Sequence, residues 1–248
     1  PESALLDRGF DVTGFALVIA HRDRGRDPNR AANLESAVRW WRDYGIEPVV
    51  VDDGRSGDDH WCRSAAYNRA ARMVDADIIV YSEADMLLDP AQILRGVEMA
   101  ADTPGLVVPF SRFMAMSEHD TERVRRREIH PSEAEAQMVR RECTSIGAVN
   151  IVSREALELV GGGYDERFDG HAYDDDAMEW AFRHTCGPTR FVDGPAWHQW
   201  HVPGAFYATP ESTEADRAAT ERNRIRYQTR YRVTRDPDRI RALIQGAD

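Results

Sequence analysis

Short apolar runs that alternate with amphipathic segments restrict the fold of this chain more than any other feature. Phe15 to Ala20, Pro48 to Val51, residues 77 to 81 and Leu106 to Phe110 read as buried strands. Between the first two, Asn33 to Tyr44 carries Leu34, Ala37, Val38, Trp41 and Tyr44 at helical spacing and stops at Gly45. Residues 61 to 74 form the next expected helix, and Pro90 opens another that runs to about Ala101. This β-α-β-α-β-α-β order requires a sheet with right-handed crossovers. The fold class is therefore α/β, with a mostly parallel central sheet.

The strand ends carry the chemistry. The third run closes as Val80-Tyr81-Ser82-Glu83-Ala84-Asp85-Met86, with two carboxylates one residue apart. On a strand, positions i and i+2 share a side, so Glu83 and Asp85 are expected to face one point. In open α/β sheets that carboxyl end is where ligands bind. Converging carboxylates suit a hard divalent cation, and such a cation suits phosphate oxygens. A solvated acidic turn is the plain alternative. Asp52 and Asp53 end the second strand, and His21, Arg22 and Asp23 follow the first, so three polar clusters are expected to line one crevice. No GxGxxG or GKS/T follows the first strand, which leaves a Rossmann dinucleotide site or a P-loop unsupported. Phosphates would need a metal and arginines, with Arg63 and Arg69 available on the helix after Asp53.

Composition narrows the partners. The 248 residues suit one large domain or a domain with an appendage. A formal net charge of -11 argues against a general nucleic-acid binder and fits anionic ligands handled through a metal ion. All 32 basic residues are Arg, which excludes lysine catalysis and is consistent with GC-rich coding, as in bacteria or their phages. Cys62, Cys143 and Cys186 are widely spaced, so a reducing, cytoplasmic setting is expected rather than a disulfide or zinc scaffold. No transmembrane stretch or signal peptide is visible.

After the fourth strand the pattern changes. Residues 117 to 142 are highly charged, with Arg125-Arg126-Arg127 and Arg140-Arg141, and are expected to form a solvated helix pair broken near Pro131 or a segment over the active site. Ile146 to Val152 reads as a return strand, Gly161 to Gly163 as a loop, Asp176 to His184 as a helix, and residues 190 to 201 as carrying a strand. From Thr213 a polar, Arg-rich helix and a shorter one from Asp236 complete the chain.

The order of these motifs resembles the GT-A glycosyltransferases, of the family 2 type and of the polypeptide GalNAc-transferase and galactosyltransferase branches, over roughly residues 14 to 204. VVVDDGRSGDD is similar to the strand and turn whose aspartate holds the base or ribose of a nucleotide sugar. RSAAYNRAA is similar to a helix whose Arg63 and Asn68 would face the donor. VYSEADM stands in the place of the DxD motif, with Glu for the first Asp. The resemblance thus implies donor contacts from His21, Arg22, Asp23, Asp52, Asp53, Arg63, Asn68, Glu83 and Ala84. GGGYDERFDGHAYDDDAMEWAFR is similar to the acceptor loop and the acidic helix start of the family. It implies an acceptor side at Gly162, Gly163 and Tyr164, and a catalytic base at Asp175, with Asp174 as its neighbour; in the later PAWHQWH, Trp197 and Trp200 either line a sugar platform or simply pack, Trp200 being the one expected on the acceptor side. PAWHQWH stands where the family places a late histidine ligand, so the implied metal set is Asp85 and Glu83 with His201 or His198. Imidazole favours Mn²⁺ over Mg²⁺.

The division implied is a GT-A catalytic domain over residues 1–205, with a donor half at about 14–115 and an acceptor half at about 143–204, followed by a helical extension over 206–248. The expected activity is metal-dependent transfer of a sugar from a nucleotide sugar, UDP-linked by expectation, to a hydroxyl of a protein, glycan or small molecule, with inversion. A retaining GalNAc-transferase-like enzyme, a nucleotidyltransferase and a non-catalytic glycan-binding protein are the rivals.

Overall fold

A computed structural model describes residues 14–23, 25, 27–57, 59–141, 147–202 and 213–247. The first part runs β1 (Phe15–Ala20), α1 (Pro28–Asp43), β2 (Val49–Val51), α2 (Arg63–Met73), β3 (Ile78–Glu83), β4 (Met86–Leu88), α3 (Pro90–Asp102) and β5 (Val107–Val108). Then follow β6 (Arg112–Met116), α4 (Glu118–Arg125), β7 (Ala136–Arg141), β8 (Val149–Ser153), α5 (Arg154–Val160) and α6 (Asp174–Thr185). β9 (Arg190–Phe191), β10 (Pro195–His198), α7 (Glu214–Arg226) and α8 (Pro237–Gln245) complete the order.

The six-stranded sheet has the order β2-β1-β3-β8-β5-β9. β8 is its antiparallel member, inserted between β3 and β5. The expected return strand therefore interrupts an otherwise parallel sheet. The strands are apolar without alternation because both faces are covered. Leu17, Ile19, Ile78, Val80 and Ile151 pack against Ala37 and Trp41 of α1 and Ile93 of α3. Val18, Ile79, Tyr81 and Val152 pack against α2, α5, α6 and α8 through Tyr67, Val160, Phe182 and Ile240. Helix α1 starts before its apolar spacing does, because Asp27 caps it and Pro28 fits its first turn.

A second sheet, β4-β10-β6-β7, lies outside the sequence expectation. Three expectations are corrected here. The charged stretch after Pro131 is strand β7, not the second helix of a pair, because β6 offers it an antiparallel ladder. Nor is Arg125 solvated. Its guanidinium donates to Asn33 Oδ1, to Asn29 Oδ1 at 3.1 Å and to the Asn29 carbonyl at 3.1 Å. The expected strand over residues 190 to 201 is in fact two, β9 and β10, each in a different sheet.

The boundary expected at 205/206 lies outside the described residues. The C-terminal helices pack on the loop that precedes α6. Buried Asp165 accepts from Tyr231 Oη at 2.8 Å and from Arg226 Nε at 2.9 Å. Asn223, 2% exposed, donates through Nδ2 to the carbonyls of Asp169, His171 and Ala172 at 2.8, 3.3 and 3.1 Å. Among the described residues no helix is long and apolar enough to cross a membrane.

Three carbonyls depend on one buried amide, so Asn223→Ala should lower the free energy of unfolding by about 1–3 kcal/mol. Denaturant titration of both proteins measures it. An unchanged midpoint would show that α7 does not brace this loop.

Candidate active site

Strand β3 ends at Glu83, and Ala84-Asp85 turn the chain into β4. Because Asp85 lies in this turn, strand alternation does not bring the two carboxylates together, as the sequence led one to expect. They go to different partners.

Asp85 goes to the histidines. β4 pairs antiparallel with β10 in a register that sets His198 opposite Met86, one residue past Asp85. The ladder continues as Gln199 N donates to the Asp85 carbonyl at 2.8 Å. This pairing brings His198 Nε2 to 3.7 Å and His201 Nε2 to 3.1 Å from Asp85 Oδ2. The segment is fixed from behind by α1 and α4. Val202 N donates to Asp27 Oδ2 at 2.9 Å, Asn33 Nδ2 donates to the Trp200 carbonyl at 3.1 Å, and Trp200 N donates to Thr121 Oγ1 at 2.8 Å.

These three residues fit a divalent cation. Their ligand atoms lie within 4.8 Å of one another, and buried Asp85 Oδ1 has no hydrogen-bond partner among the described residues. His201 Nδ1 lies 2.7 Å from the Val202 carbonyl, which can only accept, so Nδ1 carries a proton and Nε2 is the ligand atom. Burial works against charge on Asp85, yet His198 and His201 hold its carboxyl well below the ordinary range. Burial lowers the pKa of His198. It opposes charge on His201 too, but the Asp85 hydrogen bond prevails and raises that pKa.

Glu83 lies outside this cluster and meets Arg63, the first residue of α2. Arg63 Nη1 donates to Glu83 Oε1 at 2.5 Å and to the Gly147 carbonyl at 3.0 Å. Arg63 Nε and Nη2 donate to the two oxygens of Asp174 at 2.7 and 2.8 Å, and Nη2 lies 3.8 Å from Asp175 Oδ2. A Cβ on Gly147 would stand 2.4 Å from Nη1, so only glycine leaves room for this guanidinium. One cation among three carboxylates leaves excess negative charge. Desolvation, against the pull of Arg63, pushes Glu83 up to about 7. Burial likewise raises Asp175. It opposes charge on Asp174 as well, but the two Arg63 bonds hold that carboxyl below its ordinary value. Asp174 and Asp175 open α6 directly after Ala172 (φ 66°) and Tyr173 (φ 69°), two left-handed residues. Such backbone in non-glycine residues persists only where surroundings enforce it. The Asn223 amide, bonded to the carbonyls of Asp169, His171 and Ala172, supplies that support.

Several other expected contacts are engaged within the protein. Asp53, with no exposed side-chain surface, accepts from Cys62 N at 2.9 Å and pairs with Arg22 Nε at 2.9 Å. Arg22 also donates to the carbonyls of Gly57 and Asp59, stapling the loop after β2. Asp52 pairs with Arg69 and stays half-exposed. Asp23 accepts from Gly25 N at 2.7 Å, and burial lowers the pKa of His21 beside it. Asn68 is spent on the acceptor-side loop, donating to the Tyr164 carbonyl at 2.8 Å and accepting from Tyr164 N at 2.7 Å. The tight fit needs Gly163, where a Cβ would meet Asn68 Oδ1 at 2.4 Å. Gly162 caps α5 through Leu157. Tyr164 points inward, bonded to Asn150 at 2.8 Å and edge-on to Tyr67 and Tyr81. Ala84 packs against the core, as does Trp197, while Trp200 is half-buried beside the histidines. Asp27, Asn33 and Asn223 were not marked by the sequence, since each acts through a contact with a distant segment.

By sequence the chain matches no family model and no curated protein. By structure it is similar to the catalytic domain of Drosophila β1,4-galactosyltransferase 7 in complex with xylobiose, at a TM-score of 0.52 and 13% identity, over 86% of this chain and 80% of that one. A mutant of the same enzyme with manganese, UDP-Gal and xylobiose gives 0.50 at 12% identity, over 82% and 76% of the two chains. Glucosyl-3-phosphoglycerate synthase from Mycobacterium tuberculosis, with Mg²⁺ and UDP, gives 0.50 at 12% identity, over 88% and 82%. The chain has the GT-A fold of nucleotide-sugar transferases.

The cluster makes a metal prediction. Asp85→Ala should abolish Mn²⁺ binding in calorimetry while the thermal transition remains cooperative. Mn²⁺ must displace the proton shared by His201 and Asp85. Because that proton is held more tightly than by a free imidazole, affinity should fall with acidification from above pH ~6.5. Mn²⁺ affinity that is flat from pH 8 to 5 would place the ion elsewhere.

Proposed function

We propose that this protein is a metal-dependent glycosyltransferase that moves a sugar from a UDP-linked donor to an acceptor hydroxyl with inversion. The observation that carries the proposal is the meeting of Asp85, His198 and His201 at the carboxyl edge of the sheet, where the crevice also holds the acidic start of α6. The fold relatives crystallised with UDP-Gal and manganese, or with UDP and Mg²⁺, support the choice of ligand class.

A divalent ion held by these three residues would stabilise the negative charge of the departing diphosphate. The protein's own groups do the rest. Arg63 fixes Asp174 as an anion and so sets the first turn of α6. Asp175 is less restrained, with 26% of its side chain exposed and a raised pKa, which suits proton abstraction from an acceptor hydroxyl. As the acceptor oxygen bonds to the anomeric carbon, the bond from that carbon to the diphosphate oxygen breaks on the opposite side, and the hydroxyl proton passes to Asp175. The acceptor side is assigned to the Gly162 to Tyr164 loop and Trp200 by resemblance; the Tyr164 ring itself is buried, which leaves the loop backbone and Trp200 to meet an acceptor. Hydroxyls of glycans, proteins and small molecules all meet this requirement.

The first test is release of UDP or GDP from a panel of nucleotide sugars with Mn²⁺, since slow hydrolysis needs no acceptor. Absence of release from every donor, with nucleotide still bound, would favour a non-catalytic glycan-binding protein. Asp175→Asn should lower turnover by about 10²-fold or more with donor affinity nearly unchanged. Because the base works only when deprotonated, turnover should fall as pH drops through the Asp175 pKa, above the usual aspartate value near 4. Near-parental turnover by Asp175→Asn, with a product of retained configuration by NMR, would refute the base assignment and move the chemistry to the retaining class.

A further inference from the structure

An arginine that belongs to none of the motifs above stands beside the metal cluster. Arg30 is half-buried in the first turn of α1. Three residues before it, Asp27 receives Val202 N, and three after it, Asn33 donates to the Trp200 carbonyl. Residues three apart are neighbours along a helix face. Arg30 therefore sits between the two contacts that grip the segment carrying His201. Its charge bears on Asp85, His198 and His201, and on His21 and His171 elsewhere in the crevice.

Among the described residues the Arg30 side chain has no hydrogen bond or ion pair. Among the described residues, the arginines expected to meet the donor are engaged elsewhere. Arg22 holds Asp53, Arg63 holds Glu83 and Asp174, and Arg69 holds Asp52. The chain has no lysine to take their place. A cation half-removed from water without a partner is unfavourable until an anion reaches it. A guanidinium also presents a fork that matches two phosphate oxygens.

We propose that Arg30 is a diphosphate-binding residue of this crevice, taking phosphate oxygens of the donor beside the ion held by Asp85, His198 and His201. The inference rests on the glycosyltransferase reading and adds a residue to it. A carboxylate ligand neutralises part of the ion's charge, while the diphosphate becomes more negative as the sugar departs. Among the described residues no hydrogen bond or ion pair ties the Arg30 guanidinium down, so its charge, which bears on Asp27 and Asp85 only through space, is available to the leaving group.

The probes are Mn²⁺ alone and then inorganic pyrophosphate at saturating Mn²⁺, by calorimetry, so neither sugar nor base need be known. Arg30→Gln, and Arg30→Met as a second variant that keeps the aliphatic stem, should bind Mn²⁺ at least as tightly as the parent, because a positive charge near the ion has been removed. Both should bind pyrophosphate about tenfold or more weakly, and Arg30→Lys should fall between. Equal pyrophosphate affinity in parent and variants would overturn the role of Arg30 and leave the functional reading intact. Weaker binding of inorganic phosphate but not of pyrophosphate would also overturn it, assigning the residue to an anionic acceptor. A parent protein that binds Mn²⁺ but no pyrophosphate would overturn the functional reading, and the role of Arg30 with it.

Discussion

The Arg63 guanidinium joins the two halves of the crevice, and the arrangement on both sides follows from its demands. It reaches from the first turn of α2 to the end of β3 on one side and to the start of α6 on the other. Three acidic side chains share one positive charge, so they cannot all be equally good anions. Asp174 has two of the bonds and keeps its charge, while Glu83 and Asp175 are driven toward their neutral forms. Neighbouring carboxylates are thereby given different proton affinities, which is what acid–base chemistry needs of them. The missing Cβ of Gly147 is part of the same construction.

A second layer of polar contacts fixes the residues that face the crevice. From α1, Asp27 and Asn33 hold the segment that carries His201, and Arg125 holds Asn29 and Asn33 in turn. From α7, Asn223 holds the carbonyls around the left-handed residues before Asp174. Binding and catalytic geometry depends on such supports as much as on the groups that touch the ligand. The cost of two residues at positive φ is offset by bonds from a helix that a motif search would treat as an appendage.

Much of the main sheet was legible in the sequence because strands buried on both faces leave unbroken apolar runs such as Phe15 to Ala20 and Ile78 to Tyr81. The late histidines could be linked to Asp85 by resemblance alone, since their meeting depends on the β4–β10 register, a long-range pairing without local signal. Strand β7 was misread for a related reason: a charged, broken stretch gives no periodicity, and its ladder comes from β6. Asn68 and Tyr164 look like ligand contacts by motif, but both turn inward and fasten the same loop. Arg30 left no mark because its role depends on partners at i−3 and i+3 that are polar, whereas helical pattern is read from apolar residues.

The turn at Ala84-Asp85 is short, and it is followed at once by the ladder that faces His198. Side chains on a strand alternate, so a shift of one residue in that pairing would exchange the two faces of β10. His198 would then trade places with Trp197 or Gln199, both of which are buried now. A changed residue type around the crevice therefore disturbs the Asp85, His198 and His201 cluster less than a residue gained or lost between β3 and β4 would. Length at this point is thus at least as constrained as residue type, and a chain of the same fold with an insertion there could not bring an aspartate and two histidines together by this register.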